Sequence, residues 1–192
     1  TFDVTSLVQK AENTVGVLLG NGWYNQRDRT VEGCMWYDTP RLLCQLEIEY
    51  TDGSTELVVT DDSWKTTTGP LLHDAIFTGE EYDARLELDG WNRNGYKDSS
   101  WKKALLVRAP KGSLHAQLAP HEKIIRILQP VSCEQKDDST YWYAFPEMIS
   151  GWAHIKVQGN AGDRIKLRFV GEEKNDFGQV DLYTLRGLSL IH

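Results

Sequence analysis

The densest group of acids beside aromatic side chains is "TGEEYDAR", which places Glu80, Glu81 and Asp83 within four residues. Two carboxyls facing one scissile bond, one protonated and one ionised, are what glycoside hydrolysis requires. In extended backbone, however, successive side chains alternate faces. Glu81 and Asp83 then share a face, Glu80 points away, and Arg85 is placed to pair with Asp83 across one pleat. Ion pairing is the favoured reading, and no catalytic residue is assigned. The five histidines, His73, His115, His121, His154 and His192, show neither HxH nor HxxxH spacing, so no transition-metal site is encoded locally. Cys34, Cys44 and Cys133 match neither a CxxC pair nor a zinc pattern and read as free thiols, with Cys44 a small apolar residue inside "LLCQLEIEY".

A second chemistry is suggested by "LLGNGWYNQR". Val15, Val17 and Leu19 alternate along an expected strand, and Asn21-Gly22 supplies the positive backbone dihedrals of a tight reversal. Trp23 and Tyr24 follow at the strand end, and Trp36 and Tyr37 form a similar pair beyond the polar loop "NQRDRTVEGCM". Neighbours in a strand face opposite sides, so at least one ring of each pair belongs outside a core. An exposed ring can stack on the apolar face of a sugar while rim amides and charges take its hydroxyls. Asn21, Trp23, Tyr24, Trp36 and Tyr37 are therefore the candidate carbohydrate-binding surface, with packing against another domain as the rival role. Trp64, Trp91, Trp101 and Trp152 are expected in core positions.

Strand signals recur along the rest of the chain: "TVGVLLG", "LLCQLEIEY", "STELVVT", "ARLEL", "KALLV", "KIIRILQPVSC", "STYWYAF", "GWAHIKVQG" and "DRIKLRFVGEE". Hairpin loops are expected at Thr51-Asp52-Gly53-Ser54 and at Gly159-Asn160-Ala161-Gly162-Asp163. Asp3 or Thr5 can cap one short helical turn near the start. The pattern predicts an all-β chain of antiparallel sandwich type. "VRAPKGSLHAQLAPHE", residues 107–122, has the composition of a linker, and the domain boundary is placed there, giving units 1–110 and 111–192. A net charge of −7, with 21 basic residues scattered among 28 acids, argues against nucleic acid as a partner. No apolar run approaches the roughly 20 residues of a membrane span.

Several of these stretches closely resemble the N-terminal β-sandwich of bacterial α-L-rhamnosidases, glycoside hydrolase family 78. They are "FDVTSLVQKAENTVGVLLGNGWY" and "WYDTPRLLCQLEIEYTDGSTELVVTDDSWKTTTGPLLHDAIFTGEEYDAR". "GWNRNGYKDSSWKKA" is similar to an element found in many galactose-binding-like sandwiches. "YWYAFPEMISGWAHIKVQGNAGDRIKLRFVGEE" and "LYTLRG" look like the concanavalin-like domain that follows in those enzymes, although Ala144-Phe145-Pro146-Glu147-Met148 departs from the family's usual loop.

The resemblance implies a jelly-roll, galactose-binding-like sandwich over 1–110 and a second, partial sandwich over 111–192. The helical barrel that carries the family's catalytic carboxylates would lie elsewhere in the parent polypeptide. That parent would be a bacterial enzyme, periplasmic, extracellular or cytoplasmic, that removes terminal rhamnosyl residues by inverting hydrolysis. The resemblance further implies a calcium-dependent rhamnose site drawn from the loops around Gly20-Asn21-Gly22 and Thr68-Gly69-Pro70, making Asn21, Gly22 and Pro70 the candidate calcium ligands. The expected partners are rhamnose-bearing glycans and the missing barrel. Incomplete sandwiches leave strand edges bare, and a homodimer through those edges is expected.

Overall fold

The computed structural model describes residues 1–26, 35–109, 111–113, 115–171 and 176–187, and its regular structure is strand apart from one 3-10 turn at Ala84–Leu86. Cys34 lies outside the described residues. The first strands, β1 (Asn25–Gln26) and β2 (Met35–Trp36), form a short antiparallel pair with Asn25 opposite Trp36.

Next come β3 (Gln45–Glu49) and β4 (Thr55–Val59), an antiparallel hairpin closed by Glu49 opposite Thr55. Its loop is the expected Thr51–Ser54 turn. Gly53 takes a φ of 83°, which only a residue without Cβ adopts cheaply, and its N–H donates to the Tyr50 carbonyl at 2.9 Å. Asp52 Oδ1 accepts from the Ser54 N–H at 2.9 Å, so the turn holds itself together before any tertiary contact forms.

β5 (Lys65–Thr66) pairs with β8 (Lys102–Lys103). Between them β6 (Leu71–Ala75) and β7 (Gly79–Asp83) form an antiparallel hairpin. β9 (Ser132–Gln135) and β10 (Tyr141–Ala144) make a separate ribbon. The last strands, β11 (Arg164–Val170) and β12 (Asp176–Thr184), are antiparallel to each other. The architecture is thus all-β and predominantly antiparallel, as the strand pattern predicts.

The largest sheet has the order β11-β12-β7-β6, and within it β12 runs parallel to β7, with Tyr183 beside Tyr82. Two strands on each side of residue 110 therefore share one sheet. Tyr82 and Tyr183 stack with ring centroids 5.2 Å apart and planes 6° from parallel. Arg164 of β11 reaches Glu81 of β7 at 2.8 Å, and Arg186 contacts Glu87 at 3.0 Å.

Some expected strands are absent. Residues 15–19, 105–107 and 153–158 have alternating or apolar patterns yet belong to no ladder, Ala104 alone extending the β5–β8 pair by donating its N–H to the Trp64 carbonyl at 2.8 Å, and only the end of "KIIRILQPVSC" pairs. Alternation creates an apolar face, but a strand also needs a neighbour to take its N–H and C=O groups. The predicted turn near the start is present: Leu7 N–H donates to the Val4 carbonyl at 2.8 Å, while Asp3 Oδ1 accepts from Thr5 N–H at 2.9 Å. The linker stretch folds back on the chain start, where the ring of Phe2 stacks on His121 at 4.4 Å.

Ala75, Ala84 and Leu185 are the buried apolar residues among those described, and Leu185 is the largest fully buried side chain. Leu185 is pinned on both sides: its N–H donates to the Asp163 carbonyl and its carbonyl accepts from Gly162 N–H, each at 2.8 Å. Leu185→Ala should therefore cost about 3 kcal/mol in a denaturant titration, as large-to-small changes at buried positions do. Leu57→Ala, at a 55% exposed position, should cost well under about 1 kcal/mol.

Candidate functional site

In the β6–β7 hairpin the parity expected from "TGEEYDAR" holds. Asp83 accepts from Arg85 Nε at 2.9 Å and from Nη2 at 2.7 Å, and Glu81 is paired with Arg164. The Arg85 hydrogen bonds hold the Asp83 carboxyl below the usual carboxylate range. Glu80 alone is turned the other way, and it has no hydrogen-bonding or ionic partner for its carboxyl among the described residues. Burial, with Asp181 and Asp74 nearby, pushes its pKa up.

Glu80 borders a half-open cleft of about 490 Å³. Its polar lining comes from Asp74 at the end of β6, Glu80 on β7, and Gln179 and Asp181 on β12. Its apolar lining comes from Ile76, Trp152, and from Leu167 and Phe169, which share the inward parity of β11. Trp152, expected in a core, instead stands 69% exposed at this wall.

Gly79 makes the close approach of β12 feasible. A Cβ there would fall 2.2 Å from the Val180 carbonyl and 2.6 Å from Asp181 Oδ1, and the residue takes a φ of 99°. With no side chain in the way, Asp181 Oδ1 accepts from the Glu80 N–H at 3.1 Å.

Asn21 ties the rim together. Asp74 Oδ1 accepts from the Asn21 N–H at 2.7 Å, Asp74 Oδ2 accepts from Asn21 Nδ2 at 3.1 Å, and Asn21 Oδ1 accepts from Asn25 Nδ2 at 2.7 Å. The side chain nominated for sugar binding is thus already satisfied at both of its ends, and its anchoring brings Gly22 to the cleft rim.

The nominated aromatics lie close in sequence to this rim but are engaged with other rings. Trp23, 56% exposed, meets Phe77 edge-on at 5.4 Å, and Tyr24 stacks on Tyr37 at 6.0 Å. β1–β2 pairing brings Trp36 opposite Asn25, and the Trp36 side chain lies outside what is described.

Two of the candidate calcium ligands take part in hydrogen bonds. The Pro70 carbonyl accepts from Asp83 N–H at 2.8 Å. The Asn21 amide presents its NH2 to Asp74, a donor where calcium needs oxygen. No group of three His, Cys, Asp or Glu among the described residues is arranged to hold a metal ion.

Sequence reasoning missed the contribution of β12 to the cleft, because Gln179 and Asp181 lie about 100 residues from Glu80. The only local signals were the unpaired parity of Glu80 and a glycine before it.

Fold and cleft together define an all-β module with a small, mixed polar and apolar cleft. The chain belongs to the α-L-rhamnosidase N-terminal domain family, whose model matches residues 1–126. It is 34% identical over 183 residues to an α-L-rhamnosidase of Alteromonas sp. (strain LOR), covering 92% of this chain and 20% of that protein. A Formosa agariphila α-L-rhamnosidase is 35% identical over 88% of this chain and 18% of its own. The Streptomyces avermitilis α-L-rhamnosidase, in complex with L-rhamnose, superposes with a TM-score of 0.74 at 27% identity, over 88% of this chain and 18% of that one. The chain thus spans about a fifth of the length of these relatives.

Two outcomes follow for the cleft. Gly79→Ala should destabilise by at least about 2 kcal/mol, since neither the positive φ nor the backbone carbonyl can yield, read by chemical denaturation. Glu80→Gln should raise the melting temperature at pH 7. A carboxyl whose pKa is raised by folding loses stability as the pH climbs through that raised value, and the amide does not ionise. The two melting curves should merge as the pH falls below the usual carboxylate pKa of about 4.3.

Proposed function

We propose that this chain is a non-catalytic accessory module of an α-L-rhamnosidase polypeptide, whose apolar surface is covered by the remainder of that polypeptide. One observation carries the reading. The chain exposes 16235 Å², about 1.7 times the roughly 9,300 Å² expected for a folded monomer of 21.9 kDa. Large apolar side chains stand open to solvent: Leu105 is 88% exposed, Leu118 99%, Ile125 94% and Ile127 76%. Surfaces of this kind are interaction surfaces.

Hydrolysis itself is assigned to acids outside these residues. Of the three carboxyls at the cleft, Asp74 has both oxygens engaged by Asn21 and Asp181 holds the Glu80 backbone, leaving one free acid where a hydrolytic pair needs two. The parent polypeptide, by its family, removes terminal α-L-rhamnosyl residues from glycans or glycosides.

A second reading is that the module also grips a rhamnosyl end. Its support is the cleft beside exposed aromatic surface, with Trp23 56% and Tyr37 63% exposed, in a family with a member known in complex with L-rhamnose.

The isolated 192-residue chain should bind a hydrophobic dye strongly and self-associate through bare strand edges in small-angle scattering. Attachment to the rest of the polypeptide should suppress both. A dye-silent, monomeric chain at high concentration would overturn the accessory reading, as would release of nitrophenol from an aryl rhamnoside by the chain alone.

A further inference from the structure

We propose that Asn94 is a modification site, where spontaneous deamidation at Asn94-Gly95 unfastens residues 12–14 from the turn around it, while the other Asn-Gly pair, Asn21-Gly22, is shielded by Asp74. Asn-Gly occurs in the sequence at these two places. The chemistry at each is the same. The glycine backbone nitrogen gives up its proton to solvent base and attacks Cγ of the asparagine side chain. A C–N bond forms, the bond from Cγ to the side-chain nitrogen breaks, and that nitrogen takes a proton from water and leaves as ammonia. Water then opens the cyclic imide at either carbonyl, giving aspartate or, with one more carbon in the main chain, isoaspartate. Glycine favours the ring closure because no Cβ obstructs its nitrogen.

Asn94 and Gly95 are exposed and hold the two central positions of a turn in which Tyr96 N–H donates to the Arg93 carbonyl at 3.3 Å. Gly95 takes a φ of 80° and Asn94 keeps a negative φ, the signs of a type II turn. Bringing the Gly95 nitrogen onto Asn94 Cγ requires this turn to open, and a long, solvent-exposed bond opposes that weakly. The Asn94 side chain is fastened at exposed positions too: Thr14 Oγ1 donates to its Oδ1 at 2.6 Å, and its Nδ2 donates to the Glu12 carbonyl. Arg93 and Lys97 flank the pair in sequence, and positive charge favours the nitrogen anion that attacks.

Asn21 carries the same dipeptide in the opposite setting. It is half-buried, its Nδ2 donates to the Asp74 carbonyl at 3.0 Å and to Asp74 Oδ2 at 3.1 Å, and its own N–H is held by Asp74 Oδ1 at 2.7 Å. To react there, the amide must leave a charge-assisted bond and build negative charge beside a carboxylate. Reaction at Asn94 also has a defined consequence. The new carboxylate still accepts from Thr14 but offers no proton to the Glu12 carbonyl, so two oxygens face each other where a hydrogen bond stood. Isoaspartate lengthens the main chain inside the turn as well. Further along, Gly16 lies against Trp91, whose ring a Cβ would approach to 2.4 Å, and this contact bounds the released strip.

The test is incubation of the full-length polypeptide carrying these residues in mildly alkaline buffer, followed by peptide mapping by mass spectrometry, with isoaspartate detected by enzymatic methylation. In the folded protein Asn94 should convert at least about tenfold faster than Asn21, the scale of one charge-assisted hydrogen bond. In guanidinium chloride, which removes the fold and screens the charges, the two should convert at comparable rates. In Asp74→Ala the Asn21 rate should rise toward that of Asn94. A glutamate-specific protease should cut after Glu12 about fivefold faster in the deamidated protein, the scale of one lost hydrogen bond, and Asn94→Asp should reproduce this without incubation. Equal rates at the two sites in the folded protein, a faster Asn21, or a difference that persists in denaturant would overturn the assignment. Conversion of Asn94 with unchanged cleavage after Glu12 would overturn the unfastening.

Discussion

The parallel ladder between β7 and β12 sets the rest of the molecule. Leu182, Tyr183 and Thr184 stand beside Glu81, Tyr82 and Asp83, and on either flank an arginine from the later segment meets a carboxylate of the earlier one. This register carries Gln179 and Asp181 to the glycine end of β7. Shifting β12 by one residue would exchange its two faces, turning Gln179 and Asp181 away from Glu80 and breaking the tyrosine stack. Burial and the adjacent Glu87 push the Tyr82 phenol pKa up, so the hydroxyl stays protonated and donates to Glu87 Oε1 at 3.1 Å. Fold and cleft thus depend on the same few backbone hydrogen bonds.

What was legible in the sequence is what is local. The Thr51–Ser54 hairpin was readable because glycine and an Asx side chain specify it within four residues, and β3 and β4 follow directly on either side. The division of Glu80 from Glu81 and Asp83 was readable from the two-residue period of a strand. The positive φ of Gly22, 49°, was readable, but Asn21 does not share it and the turn closes more widely, Asn25 N–H donating to the Asn21 carbonyl at 3.2 Å; nor was the role of Asn21 readable, because its partner Asp74 lies 53 residues away. Alternation at residues 15–19 and 153–158 promised strands that lack a ladder, since a sequence shows which face is apolar and is silent about who sits alongside. Trp152 was misplaced for the same reason: an aromatic in an expected strand reads as core, and here it forms the wall of an opening.

The balance of covered and uncovered surface follows from how little of the chain is in the large sheet. Two-stranded ribbons such as β9–β10 bury almost nothing, and Tyr141, Trp142 and Tyr143 are respectively 50%, 39% and 59% exposed. Isolated hairpins are marginal in water unless another layer covers them. Most of the apolar side chains outside the large sheet are thus left uncovered, which is what the proposed accessory role rests on.

The long separation between β7 and β12 also matters during synthesis. Glu81 leaves the ribosome 101 residues ahead of Leu182, its ladder neighbour, a lag of about 5–20 s at ordinary translation speeds. Throughout that interval the edge of the β6–β7 hairpin stands unpaired, available to any passing strand, and a nascent chain made this way gains from a holding chaperone until β12 emerges.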